Sequence, residues 1–243
     1  MSRPLHLLAL DTATTQATVA LCRDTTLLAE ASREVTTHSA GLLELIDGVL
    51  RAGGRALEAV DAIVCGQGPG SFTGLRIGLA TAKGLCLAAG KPLLVVGSLL
   101  ALARAALAEP AEGTLALLDA GRGEVYAQAF AGAGPLAAAW LGEPQRIGDY
   151  LAPLAPALEV PWLLIGAGAL RYAEVLQQAL PAARWAASER HAICATHLAA
   201  VALPRARAGD FDDLAGAVPL YLRAPDIRAP APQATSARGS APA

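Results

Sequence analysis

Residues 66–78 read G-Q-G-P-G-S-F-T-G-L-R-I-G, and no other stretch of the chain restricts the fold as tightly. A short apolar run, Ala62-Ile63-Val64-Cys65, leads in and predicts a buried strand. From Thr73 to about Ala89 there is no proline and much Leu and Ala, which predicts a helix. Gly66, Gly68, Gly70 and Gly74 surround Pro69 in the turn between. Such a turn takes φ angles closed to most residues, or its backbone is approached closely by something else. Ser71 or Thr73 can cap the helix by accepting from its free N–H groups.

Three familiar loops fail against this stretch. A Walker-type phosphate loop needs Lys then Ser or Thr at the helix start, where this chain has Phe72, Thr73 and Gly74. The dinucleotide fingerprint needs G-x-G-x-x-G and a later acid; Gly68-Pro69-Gly70 is followed by Thr73, and no acid appears before Glu109. A nucleophile elbow needs G-x-S-x-G, but Pro69 and Thr73 flank Ser71. The stretch is built for close packing. Gly74, Gly78 and Ala82 recur every fourth residue and leave a groove for another backbone, while Arg76 and Lys83 share a different face. Spacing does not distinguish a neighbouring helix of the same domain from a helix of a partner.

At 243 residues the chain has material for one large or two small domains. Hydrophobic residues make up 54%, yet the longest apolar stretch, Leu85 to Ala103, is broken by Lys91, Pro92 and Gly97, so no membrane helix is expected. The opening M-S-R-P-L-H-L-L-A-L is too short an apolar run for a signal peptide. Cys22, Cys65, Cys86 and Cys194 lack paired spacing and read as thiols of a reducing cytosol, with no zinc set expected. The net charge of −2 gives the whole chain no general attraction for RNA.

In chain order, Leu5–Leu10, Ala17–Arg23 and Leu27–Glu34 predict an antiparallel meander. An amphipathic helix is expected from Ser39 to Arg51, with Ser39 as N-cap, Leu42, Leu43, Ile46, Val49 and Leu50 at helical spacing, and Gly53-Gly54 as its stop. The glycine-rich stretch follows, then a strand at Leu93–Val96 and a helix capped by Ser98 to about Ala108. The pattern then restarts. Strands are expected at Thr114–Leu118, Glu124–Ala131, Leu136–Leu141 and Trp162–Ile165, and helices at Arg146–Ala157, Ala169–Leu180 and His191–Leu203. L-L-A-L-D-T-A-T aligned with L-A-L-L-D-A-G-R puts Asp11 on Asp119. Two copies of strand–Asp–turn–strand imply two similar α/β lobes, 1–109 and 110–228, with an Ala/Pro/Ser-rich disordered tail at 229–243.

Two Asp-bearing turns on facing lobes are the arrangement of actin-like and sugar-kinase-like ATPases, whose turn amides hold phosphates and whose carboxylates manage magnesium. That reading marks Asp11, Thr12, Asp119 and Gly121 as a nucleotide site, with Gly166 of the strand-to-helix turn at the adenosine end. A strand-end Asp also commonly satisfies its own turn. Of the four histidines, His6, His191 and His197 read as solvated or satisfied in the core, and His38 stays ambiguous. Tyr126 reads as packing and Glu124 as structural. A hydrolase built on Ser71 would need a His and an acid that the sequence does not place.

The motifs L-A-L-D-T-A-T, the glycine-rich stretch continued as L-A-T-A-K-G-L, V-G-S-L-L-A-L-A, L-L-D-A-G-R-G-E-V-Y-A and P-L-Y-L-R together resemble the TsaB (YeaZ) family. The resemblance implies an actin/sugar-kinase-like (ASKHA, RNase H-like) fold: two similar lobes, each a mixed sheet flanked by helices. It also implies a cytoplasmic, non-catalytic subunit for making threonylcarbamoyladenosine in tRNA, next to the anticodon. Such a subunit forms a heterodimer with the catalytic subunit TsaD, and with it engages the ATPase TsaE and indirectly tRNA. Self-association when TsaD is absent, and weak ATP or ADP binding, belong to the same expectation. TsaD carries metal-binding histidines on the helix matching Ser98–Ala108, where this chain has none, so no metal is expected. Partner contacts map onto Leu42, Leu43, Ile46, Val49 and Leu50 of one helix and Gly74, Arg76, Gly78, Ala82 and Lys83 of the next. The competing reading is a small ATP-dependent kinase-like enzyme using Asp11 and Asp119.

Overall fold

A computed structural model of the chain describes residues 3–34, 40–107, 109, 113–132, 134–157 and 161–223. His38, the expected cap Ser39 and the 229–243 tail lie outside the described residues. The first lobe runs β1 (His6–Asp11), β2 (Gln16–Arg23), β3 (Thr26–Glu34), α1 (Ala40–Ala52), β4 (Ala62–Gly66), α2 (Phe72–Ala89), β5 (Leu93–Val96) and α3 (Ser98–Ala106). The second repeats the plan with β6 (Thr114–Gly121), β7 (Glu124–Ala131), β8 (Gly134–Pro135), β9 (Trp140–Gly142), α4 (Ile147–Leu151), β10 (Leu163–Ile165), α5 (Ala167–Arg171), α6 (Ala173–Ala179), β11 (Arg184–Trp185) and α7 (Ala195–Ala208).

The sheets match in topology. The first is ordered β3-β2-β1-β4-β5 and the second β11-β10-β6-β7-β8, with β9 also on β7. In each, the Asp-bearing strand pairs antiparallel with its successor and parallel with the strand that follows a helix. Asp11 closes β1 and Asp119 lies near the end of the equivalent central strand β6, so the two aligned aspartates hold matching places in the sheets.

Both faces of the central strands are covered, which is why β1 and β4 are continuous apolar runs without alternation. Leu8, Leu10, Ile63 and Cys65 pack outward beneath α1 and α2, while Leu7, Ala9, Ala62 and Val64 pack inward. The inner layer is an exchange of helices. α3 leaves the first sheet but packs on β6, β7 and β10, whereas α7 leaves the second sheet and packs on β1, β2, β4 and β5. Alanines at 101, 103, 105, 106, 195, 199, 202 and 206 keep this layer thin, so a single core reaches from sheet to sheet. Cys22, Cys65 and Cys86 are buried free thiols, and burial pushes Cys86 up to about 11, far from reactive thiolate.

Several expected elements differ. The strand at Leu136–Leu141 is replaced by the short β8 and β9, each paired antiparallel with β7. The helix at Arg146–Ala157 shrinks to α4 plus 3-10 turns, because Pro153 and Pro156 follow closely. The helix at Ala169–Leu180 breaks at Tyr172 (φ −111°, ψ 27°), whose hydroxyl bonds to Asp119 at 3.1 Å. The final helix begins at Ala195 rather than His191, because the His191 ring is held in the second lobe. Among the described residues, no helix is long and apolar enough to cross a membrane.

The small-residue groove of α2 is filled from within the chain. A Cβ on Gly74 would lie 2.1 Å from the Thr12 carbonyl oxygen, and one on Gly78 2.2 Å from Thr12 Oγ1. Ala82 is buried in the outer core of the same lobe. The reading of Gly74, Gly78 and Ala82 as a seat for a partner helix is therefore corrected: Gly74 and Gly78 seat the β1 turn, and Ala82 packs in the lobe's own core. Gly78→Val is expected to destabilise the chain itself by about 1–3 kcal/mol or more through overpacking. Urea unfolding measures it, and a Gly78→Val chain as stable as wild type contradicts the packing described.

Candidate functional site

The turn after β1 is where the glycine-rich stretch closes. Asp11 is 1% exposed, and its Oδ1 accepts the Ala13 amide at 2.7 Å while Oδ2 accepts the Ser98 hydroxyl at 2.6 Å. Ser98 Oγ in turn accepts the Gly68 amide at 3.1 Å. Gly66 is glycine because a Cβ there would fall 1.8 Å from Asp11 Oδ2. At Gly70 a Cβ would fall 2.3 Å from the Ala13 carbonyl oxygen, which accepts the Ser71 amide at 2.7 Å. Thr12 is buried and donates to the Gly74 carbonyl at 2.7 Å.

The expectation that Ser98 caps its helix is corrected. Gly97 is the cap residue, without a side-chain bond, and the Ser98 hydroxyl is committed to Asp11. Ser71 does cap α2, accepting the Gly74 amide at 3.2 Å.

A cleft of about 480 Å³ opens between the lobes. Thr14, Thr15, Gly70, Ser71 and Phe72 form its first wall, Asp119, Ala120, Gly121 and Tyr126 its second, and Leu220, Tyr221, Leu222 and Arg223 cross it. Of the five residues expected at a nucleotide site, Asp119 and Gly121 line this cleft. Asp11, Thr12 and Gly166 do not, because their polar groups are spent on internal bonds. Gly166 (φ 112°) donates its amide to His191 Nδ1 at 3.0 Å, and His191 Nε2 lies 2.9 Å from the Ala186 carbonyl oxygen. His191 thus ties the third turn to the Ala186 backbone. A smaller hollow of about 280 Å³, lined by Thr14, Thr15, Leu170, Ser188, Glu189 and His191, continues from the cleft.

Asp119 is the ionisable member of the expected pair that reaches the cleft, and it is engaged. Its Oδ1 accepts from the Gly121 amide and the Tyr172 hydroxyl, and its Oδ2 meets Arg171 at 2.8 Å. Arg122 sits in the same turn with φ 57°, beside Gly121 and Gly123, both also at positive φ. Among the described residues, no group of three or more His, Cys, Asp or Glu could hold a metal ion.

The helix surfaces divide more sharply than the spacing implied. Leu42, Ile46, Val49 and Leu50 are buried in the chain's own outer core, whereas Leu43 is 49% exposed. Leu43 and the flanks of Ile46 and Leu50 join Leu57 and Leu85 along an apolar groove of about 530 Å³ between α1 and α2, rimmed by Asp47, Arg51, Arg55 and Glu58. Arg76 and Lys83 face away from it and hold the C-terminal segment, Arg76 Nε donating to the Tyr221 hydroxyl at 3.0 Å and Lys83 Nζ to the Ala215 carbonyl at 3.2 Å. Both side chains expected at a partner contact are thus also engaged within the chain.

Comparison with known proteins places this arrangement. YeaZ from Pseudomonas aeruginosa superposes with a TM-score of 0.76 at 32% identity, covering 90% of this chain and 100% of that one. The chain belongs to the TsaB (YeaZ) family. The family model described as TsaD, tRNA N6-adenosine threonylcarbamoyltransferase, matches residues 30–143. The tRNA threonylcarbamoyladenosine biosynthesis protein TsaB of Escherichia coli is 39% identical over 123 residues, 50% of this chain and 53% of that protein. The chain's match thus spans about half the length of the curated relatives. The ROK hexokinase of Thermus thermophilus shares the fold alone, at a TM-score of 0.52 and 15% identity, as expected for an actin/sugar-kinase-like architecture.

Burial pushes the Asp11 carboxyl above its ordinary 3.8, opposed by the bonds from Ser98 and Ala13. The unfolded chain therefore sheds this proton first, and folded stability falls as pH rises from that value. Asp11→Asn is expected to flatten this slope. Ser98→Ala removes both a donor to Asp11 and an acceptor for Gly68, and should cost about 1–3 kcal/mol at neutral pH. Urea unfolding between about pH 4 and 7 measures both, and an Asp11→Asn slope equal to wild type contradicts the assignment.

Proposed function

We propose that the chain takes part in forming threonylcarbamoyladenosine in tRNA as a non-catalytic subunit that docks and organises a TsaD-class threonylcarbamoyltransferase. Membership of the TsaB family supports the pathway, and the TsaD family model over residues 30–143 supports kinship with the proposed partner. The observation that carries the docking half is the α1–α2 groove: an apolar channel with a charged rim, on the outer face of the first lobe (1–109).

Leu43 is the natural anchor, because half of its surface is free and its neighbours are already rigid. Burying one such leucine is worth about 1.5–3 kcal/mol, so several apolar contacts are needed to exceed the entropy of association. A helix of the partner laid along the groove supplies them at helical spacing. The same groove serves a second copy of this chain when TsaD is absent. TsaE then engages the TsaB–TsaD pair, with tRNA reached through TsaD, in a cytoplasmic complex. α3 offers Ser98 to Asp11 and contains no imidazole, in keeping with transfer chemistry housed in the partner.

Leu43→Glu is expected to abolish co-purification with TsaD while changing stability by no more than about 0.5 kcal/mol, as an exposed substitution should. A Leu43→Glu chain that folds and still captures TsaD at the wild-type level defeats the docking reading.

The second reading is nucleotide binding in the interlobe cleft, favoured by its position between the Thr14-Thr15 turn and the Asp119–Gly121 turn. Isothermal titration of ATP into the isolated chain tests it. Micromolar binding with turnover would establish the kinase-like reading and refute a non-catalytic role, whereas absence of heat and turnover leaves docking as the function.

A further inference from the structure

After α7 the chain returns to the first lobe and is fastened along its whole course. The Asp212 amide donates to the Leu93 carbonyl at 2.9 Å, Asp212 Oδ2 accepts the Val95 amide at 2.7 Å, and Arg205 holds the same carboxylate with two nitrogens. This makes Asp212 an extra rung on the edge strand β5. Lys83 then grips the Ala215 carbonyl. Beyond it, the Leu220 amide donates to the Gln67 carbonyl at 2.7 Å, inside the glycine-rich stretch. Tyr221 packs on Phe72 with ring centroids 5.0 Å apart, and the Arg76 guanidinium lies 3.8 Å over the Phe72 ring.

Two residues later the segment changes lobes. Arg223 Nη1 donates to the Ala120 carbonyl at 2.9 Å, and Nη2 meets the Glu124 carboxylate. Arg223 thus grips the Asp119-bearing turn from both sides, while Leu220 three residues earlier grips the glycine-rich stretch that encloses the Asp11-bearing turn. The residues between these grips line the interlobe cleft.

We propose that residues 217–223 are a latch across the mouth of the interlobe cleft, bolted by Arg223, and that its release is what opens the cleft. At the back, the lobes are joined by the shared core around α3 and α7, which is close-packed and resists opening. At the front they are joined through the segment, by the Arg223 guanidinium on the second lobe, by the Leu220 amide and the Tyr221–Phe72 contact on the first, and by Leu222 at the edge of the core. The first hinges; the second lets go. Arg223 and Glu124 are only partly buried, so solvent can satisfy both when they part. Lys83 and Asp212 lie upstream and keep the segment tethered to the first lobe, so release swings the latch without freeing the whole segment. This role is independent of the α1–α2 groove and of any partner.

Amide hydrogen exchange on the full chain tests the latch. Arg223→Ala is expected to speed exchange roughly tenfold over 217–223 and, with it, over the cleft turns 13–16 and 120–123, leaving β4 and residues 114–118 of β6 at wild-type rates. Glu124→Gln keeps a hydrogen-bonding oxygen for Arg223 and should act at the same places more weakly. Lys83→Ala loosens the tether alone and should speed only 213–218. The latch is overturned if Arg223→Ala frees 217–223 without changing either turn, since the segment is then a surface tail. It is equally overturned if β4 and residues 114–118 of β6 accelerate together with the turns, since Arg223 then supports the fold as a whole.

Discussion

The buried carboxylate of Asp11 organises the first lobe by being surrounded. Its two oxygens are held by Ala13 and Ser98, and Ser98 passes the interaction on to Gly68. The chain around it has been thinned to admit it: Gly66 leaves room for the carboxylate, Gly70 for Ala13, and Gly74 and Gly78 for Thr12. The glycine-rich stretch is thus a mould of residues 11–13. A carboxyl so enclosed is hard to ionise and hard to replace, because an unpaired oxygen in that position would have no water to turn to. The same enclosure withdraws Asp11 from cleft chemistry. In this chain the first acidic turn is architecture, and the second, through Asp119, faces the cleft already paired with Arg171 and Tyr172.

The lobes are related by more than repetition. Each lends its last helix to the other's sheet, so α3 and α7 form a common layer that neither sheet could bury by itself. Alanine is what makes the layer work, since small side chains let two helices and two sheets approach within one continuous core. That layer joins the lobes at the back of the molecule, and at the front the cleft is crossed by the segment ending in Arg223, where the proposed latch releases.

The outer face of the first lobe carries a different kind of information. α1 and α2 bury the larger part of their apolar residues beneath them, yet leave Leu43 and the edge of Leu85 along a groove with a mixed charged rim. A groove whose floor is set by the chain's own core is preorganised, and binding to it carries little ordering cost beyond association itself. That division separates the three surfaces: the α1–α2 groove for the partner we propose, the Arg76–Lys83 face for the C-terminal segment, and the glycine face for the β1 turn.

Local rules account for much of this chain. Continuous apolar runs marked the strands buried on both faces, the repeated strand–Asp–turn aligned Asp11 with Asp119, Ser71 was legible as a cap, and the glycines announced a close approach. What they approach was not legible, because a small-residue spacing is the same whether a helix or a strand end fills it. Only the tertiary structure placed Thr12 against Gly74 and Gly78, turned Ser98 from cap to carboxylate partner, and brought Arg223 to Glu124, ninety-nine positions away. Periodicity and turn chemistry act over a few residues and are written in the order of the chain. The pairing of buried polar groups is decided by which elements the fold brings together, and that depends on every element at once.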